Sequence, residues 1–202
     1  MIYKMKNKMK KLLLIGIALL NFGHASAQSI NFDDLIGDFS PVNNSYKGLN
    51  WNDGSLTGVV DVNPYLSPGV DYTGIQDNAL FNAYGYQAAN TVILSASNGE
   101  RFDFISAYWS AGMTGDVDIQ FEAYDDENKL FSSTIYTLNT SSVSLIYLNW
   151  LGINTLHIIS SPAVWIADNF EVNTYPSEVP LPSAFWLLGS ALLAFGMRRR
   201  TI

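Results

Sequence analysis

The central part of this 202-residue chain predicts an all-β fold, an antiparallel two-sheet β-sandwich of the jelly-roll kind. Three observations carry that expectation. Apolar residues recur there with a period of two, which puts them on one face of a pleated strand. The runs are short and are punctuated by Gly, Asn, Asp and Ser, the residues that turns require. No stretch of ordinary length shows the 3.6-residue period of an amphipathic helix, so the apolar faces must be buried sheet against sheet.

The elements follow in chain order. Lys4, Lys6, Lys8, Lys10 and Lys11 precede the apolar run Leu12 to Phe22, and Ala25-Ser26-Ala27 follows it. A basic start, an apolar stretch and small residues at the minus-three and minus-one positions predict a secretory signal peptide over 1–27, cut after Ala27. The sandwich is expected over 28–174. Residues 37–90 carry Gly37, Gly48, Gly54, Gly58, Gly69, Gly74 and Gly85 among tyrosines and asparagines, and predict long loops.

Strands are predicted at 91–97 and 102–109. Between Asp116 and Tyr124, Val117, Ile119, Phe121 and Ala123 share one face while charged residues take the other, the pattern of a half-buried antiparallel strand. Asp125-Asp126-Glu127-Asn128 supplies turn residues, so 130–138 should return as the second arm of a hairpin. Further strands are expected at 143–149, 155–160 and 164–172.

The chain closes on Val179 to Met197, apolar and free of charge, followed by Arg198, Arg199 and Arg200. At the helical rise those nineteen residues reach about 28 Å, close to the hydrocarbon thickness of a bilayer. A transmembrane helix is therefore expected at about 183–197, within a terminal segment 175–202. Positive charge beside an apolar segment stays in the cytoplasm, so both charged ends remain inside and the sandwich is exported.

Charge divides accordingly. All eighteen acidic residues lie between Asp33 and Glu178, with Lys47, Arg101 and Lys129 the only bases among them, a net charge of −15 for the exported part. Such a body repels phosphates and anionic membranes and excludes nucleic acid as a partner, while it attracts divalent cations and basic partners. The chain has no cysteine, which excludes disulfides, thiolate zinc sites and cysteine catalysis. About 150 exported residues suffice for one core held by burial alone.

The C-terminal residues carry a resemblance. Val179-Pro180-Leu181-Pro182, then Ser183 to Ser190, a further apolar run and Arg198-Arg199-Arg200 resemble the PEP-CTERM sorting signal, in its VPLP version with Leu181 in place of the name-giving Glu. The small residues Ala25 and Ala27 are the expected signal-peptidase site; the resemblance implies an exosortase of the inner membrane that grips Pro180-Leu181-Pro182, cleaves near it and discards the helix, only a transient stay in that membrane, and a surface or extracellular product associated with exopolysaccharide and biofilm. Two prolines two apart suit that role, because neither can donate a backbone hydrogen bond and each biases its neighbour toward an extended form. A looser resemblance covers about residues 30–173, on Tyr46-Lys47-Gly48-Leu49-Asn50-Trp51, Phe102-Asp103-Phe104 and Ala167-Asp168-Asn169-Phe170. It is similar to domains found upstream of this signal and implies a jelly-roll or galactose-binding-like sandwich without a settled activity.

Candidate site residues are few. Asp33 and Asp34 near the mature start and Asp168 on the last strand could converge on a structural calcium ion if first and last strands lie side by side; the alternative is that Asp33 and Asp34 cap a turn and Asp168 faces solvent. His157 lies in the strand-like Thr155 to Ile159 without a G-x-S-x-G serine, so it reads as a strand histidine and no catalytic residue is assigned. Trp51, with Tyr46 and Asp53, is the candidate sugar contact, and Tyr65, Tyr72, Tyr84 and Tyr86 offer further rings; the alternative use of such rings is core filling. The function expected is that of an exported, non-enzymatic cell-surface or extracellular-matrix protein. The alternative is a carbohydrate-binding module with a defined sugar site.

Overall fold

Alternating burial builds two antiparallel sheets. The structure is a computed structural model that describes residues 26–51, 57–65, 72–83, 88–112 and 115–175. The strands are β1 Ser26–Ile30, β2 Asp38–Pro41, β3 Leu49–Asn50, β4 Gly58–Asp61, β5 Asn78–Phe81, β6 Thr91–Ala96, β7 Phe102–Ala111, β8 Val117–Asp125, β9 Asn128–Ser132, β10 Tyr136–Leu138, β11 Ser144–Ile153, β12 Thr155–Ser160 and β13 Trp165–Thr174, with a 3-10 turn at Asn63–Tyr65. Outside the described residues lie the sorting residues Val179, Pro180, Leu181, Pro182, Arg198, Arg199 and Arg200, the expected transmembrane helix, and Ala25 of the cleavage site. Asn52, Asp53, Tyr84 and Tyr86 lie outside them as well. Among the described residues no helix is long and apolar enough to cross a membrane.

The first sheet runs β11-β7-β13-β5-β4-β2, with β1 also on β13; the second runs β10-β8-β12-β6-β3, with β9 also on β8. The first and last strands lie side by side, Ile30 opposite Phe170 and Ser26 opposite Thr174. β5 and β1 share one edge of β13 in succession, at Ile166–Ala167 and at Phe170–Thr174. The bulge between Asp168 and Glu171 falls where one partner hands over to the other.

Between the sheets lies an aromatic core. Trp51, Phe104, Trp109 and Phe32 surround Phe170 edge-on, with centroids at 5.3, 6.1, 5.6 and 5.8 Å. Such edge-to-face contacts set the rings' partial positive rims against negative faces. The indole nitrogens of Trp109 and Trp165 are buried without a hydrogen-bond partner, so these side chains serve by volume. A second apolar cluster of Val60, Val62, Ile75, Ala79, Phe81 and Ile166, with Tyr108 and Val143 packed against it, covers the outer face of the first sheet.

Two expectations on secondary structure are corrected. The single returning strand at 130–138 is two strands, because Ser133 interrupts it: its hydroxyl takes the Phe121 amide at 3.0 Å in place of a backbone carbonyl. Among the described residues of 37–90 there are four strands rather than long loops alone. They span two to four residues each, too short for a period of two to show.

Candidate functional site

The expected sugar platform at Trp51 is corrected first. Trp51 is fully buried, with Phe32 at 5.1 Å and Phe170 at 5.3 Å edge-on to it. Its indole N–H donates to the Tyr46 carbonyl at 3.0 Å. A ring enclosed on its faces and satisfied at its nitrogen cannot stack on a ligand, so Trp51 is a core anchor. Tyr46 is half-buried, stacks on Phe32 at 5.7 Å and donates its hydroxyl to Asp34. Burial, followed by that hydrogen bond, pushes the Tyr46 hydroxyl pKa up. Tyr72 is half-buried and donates to the Thr140 carbonyl at 2.9 Å.

The acidic residues meet at one end of the sandwich in a different arrangement from the one expected. Asp34 is taken by Lys47, 2.7 Å away, and hydrogen bonds from Lys47 and then Tyr46 hold its carboxyl below the usual range. Asp33 accepts the Asn78 amide of β5 at 3.3 Å and the Asn31 side-chain amide at 2.7 Å, a link between segments. Asp168 does not face solvent. It is buried at 1% exposure, accepts the Asn169 amide at 2.6 Å, and burial pushes its pKa up to about 8. Asn169, at φ 49°, reaches over to the Gly74 carbonyl at 3.0 Å. Among the described residues no group of three or more Asp, Glu or His is placed to hold a metal ion.

The loop tyrosine that does stand out is Tyr65, 58% exposed, beside Phe39, 47% exposed. Phe39 comes from edge strand β2, where the register against β4 slips between Asp38 and Ser40 and the backbone takes φ 50°. A bulge on an edge strand re-aims a side chain, and a bulky residue at positive φ holds only where its surroundings compensate. Here Phe39 packs edge-on against Phe81 at 5.5 Å and Tyr65 at 6.4 Å. Tyr65 is placed by the turn Asp61-Val62-Asn63-Pro64-Tyr65, closed by the Tyr65 amide on the Val62 carbonyl at 2.8 Å.

Polar groups line the same turn. The Asn63 amide donates to the Asp61 carboxylate at 3.0 Å, and the Asn63 side chain donates to Asp77 at 3.0 Å. Asp61 lies opposite Asn78 on β5, and Asn78, which follows Asp77, donates its amide to Asp33 at 3.3 Å. Two exposed rings nearly at right angles, rimmed by carboxylates and amides held in place by their own turn, form a patch that can accept a flat apolar face and orient hydroxyls around it. Phe39, Asp61, Asn63 and Asp77 were missed from the sequence. The Asp-x-Asn-Pro-Tyr turn was visible there, whereas the bulge that brings Phe39 to it was not.

A second aromatic and polar group, on the outer face of the second sheet, is closed on itself. Tyr124 is flanked by His157 from β12 at 4.4 Å and by Lys129 from β9 at 5.7 Å, and its hydroxyl donates to Glu122 at 2.6 Å. Hydrogen bonds from Lys129 and then Tyr124 lower the Glu122 pKa, and burial lowers that of His157. His157 thus packs as a strand residue. Asp103, from the Phe102-Asp103-Phe104 word, is buried and takes the Gly152 amide, the Asn173 side chain and the Tyr175 hydroxyl, tying down the end of β13.

Comparison with protein-family models gives no match, and comparison with curated proteins gives none. Among solved structures the chain is similar to the CBM22-1 xylan-binding domain of Paenibacillus barcinonensis Xyn10C, at 12% identity and a TM-score of 0.45, over 78% of this chain and 99% of that one. It is also similar to TmCBM61, solved with β-1,4-galactotriose, at 14% identity and a TM-score of 0.35, over 72% of this chain and 94% of that one. A third is CBM51 from Clostridium perfringens GH95, solved with methyl-galactose, at 18% identity and a TM-score of 0.34, over 73% of this chain and all 100% of the other.

Proposed function

We propose that this chain is an exported, non-enzymatic protein of the cell surface or extracellular matrix whose sandwich binds carbohydrate at the Phe39–Tyr65 rim. One observation carries the binding site: two large rings, 47% and 58% exposed, are displayed at an edge bulge beside the Asp61, Asn63 and Asp77 polar groups. A pyranose presents a C–H face and a ring of hydroxyls, and this patch offers the complement of each. Export is supported by the lysine-led signal at 1–27 and by the Val179 to Arg200 segment, with signal peptidase and an exosortase as the processing partners and exopolysaccharide as the ligand class.

The binding test is a glycan array read with the full chain. Phe39→Ala and Tyr65→Ala should each weaken binding about tenfold or more while leaving the unfolding midpoint close to wild type, since both rings are exposed. Binding that survives both substitutions removes the rim as the site. The export test is intact mass from the native host: loss of both ends is expected, and a full-length soluble cytosolic product would overturn it. Calcium is proposed at the acidic end on Asp33 and Asp168, with Asp34 exchanging Lys47 for the ion. A higher unfolding midpoint in calcium than in chelator supports it, and equal midpoints dismiss it.

A further inference from the structure

The charges around the Phe39–Tyr65 rim decide more than whether a sugar binds. Asp61 and Asp77 hold the Asn63 turn from either side, and Asp33 joins them through the Asn78 amide. Among the described residues no ion pair joins a base to Asp33, Asp61 or Asp77. Of the three basic residues between Asp33 and Glu178, Lys47 is paired with Asp34 at 2.7 Å, Arg101 with Asp125 at 2.7 Å and Lys129 with Glu122 at 2.5 Å. Arg101 and Lys129 project from β-strand ends and turns of other segments, next to β7 and β8, whereas the rim is built by β2, β4 and β5. A ligand on the two rings therefore meets carboxylates whose own hydrogen bonds come from neutral amides.

We propose that the rim selects a glycan bearing free amines, a chain of hexosamine units, over neutral chains, and that it rejects chains of uronic acid or sulfated sugar. This rests on the carbohydrate reading of the rim. The physical argument is one of sign. For an ammonium on a sugar stacked against Tyr65, the carboxylates of the same turn are Asp61 and Asp77, both bonded to Asn63 two residues earlier, and a charge-assisted hydrogen bond to a carboxylate is about twice as strong as a neutral one. A carboxylate or sulfate in the same place meets like charge and finds no guanidinium or ammonium to fork onto. The neutral N-acetylated chain falls between, keeping the ring contact and losing the ionic one.

The experiment titrates the full chain with three oligosaccharides of equal length: glucosamine, N-acetylglucosamine and galacturonate. The glucosamine chain should bind about tenfold tighter than its acetylated form, equivalent to about 1.4 kcal/mol, and the galacturonate chain should show no saturable binding. Raising salt from about 0.05 to 0.5 M should shrink that advantage, because the charges are exposed and the Debye length falls below the size of the patch. Asp77→Asn, which keeps the acceptor for Asn63 and a residue type at home at positive φ, should remove most of the advantage, read as the ratio of the two chains' affinities within that variant. Tyr65→Ala should weaken both chains alike. Equal or tighter binding of galacturonate, or an advantage that survives both salt and Asp77→Asn, overturns the amine selection while the carbohydrate reading stands. Absence of binding by all three chains ends both.

Discussion

Replacing Trp51 separates a core anchor from a sugar platform, because the two roles predict opposite pairs of results. Trp51 is fully buried, is met edge-on by Phe32 and Phe170 at 5.1 and 5.3 Å, and donates its indole N–H to the Tyr46 carbonyl at 3.0 Å. Truncating a buried tryptophan to alanine costs about 3–5 kcal/mol in transfer and cavity terms. Two edge-to-face contacts add up to about 1 kcal/mol each, so Trp51→Ala should cost about 3–7 kcal/mol. That is a large share of a domain stability on the order of 5–15 kcal/mol, and the variant should be largely unfolded at modest urea. Trp51→Phe keeps a ring against both neighbours and loses mainly the indole hydrogen bond, a cost of about 1–3 kcal/mol. Urea unfolding followed by circular dichroism gives both values. On the proposed carbohydrate reading, the phenylalanine variant, folded, should match the wild type on the glycan array. A midpoint unchanged by Trp51→Ala, together with lost sugar affinity in Trp51→Phe, would refute the core role and return Trp51 to the ligand surface.

Two further outcomes are expected. Gly74 has φ 97°, and a Cβ there would sit 2.3 Å from the Tyr108 ring, so Gly74→Ala should cost about 2–4 kcal/mol in overpacking and backbone strain. Gly99→Ala, at φ 74° with nothing within 4 Å, should cost only the backbone part, about 1 kcal/mol, and equal urea midpoints for the two variants would contradict the packing argument. The pH dependence of His157 has a definite sign. Burial lowers its folded pKa, so the unfolded chain binds the proton first: its contribution to stability is constant above the ordinary value of about 6.5 and is lost as pH falls through that value toward the folded one. His157→Gln should therefore flatten the acid limb of the stability profile relative to wild type, and parallel profiles would show that burial does not govern the group.

Legibility from sequence followed the length of the signal. β7, β8, β12 and β13 were readable because six to ten residues of alternation leave little choice of face. β2 to β5 were not, since two to four residues carry no period and their pairing depends on partners far along the chain. The side-by-side first and last strands on which the convergence of Asp33, Asp34 and Asp168 was made conditional are present as β1 and β13; the pairing of Asp34 with Lys47 and the burial of Asp168 were not foreseen. For the rim, Tyr65 was a named candidate, while Phe39 and Asp77 joined it only through a register slip and a cross-strand neighbour.

Composition and local order by themselves determined the sheet-built body, its acidic charge, the absence of thiol chemistry and the two terminal segments that argue for export. These depend on counts and on periods within a few residues. Tertiary structure alone decided which aromatic rings are interior and which are displayed. Trp51 and Tyr65 look equally available in the chain, and only the closing of two sheets, with Phe170 on one side of Trp51 and a bulge lifting Phe39 beside Tyr65, assigns one to the core and the other to solvent. Burial is a property of what packs against a residue, and in an antiparallel sandwich those neighbours come from strands remote in sequence.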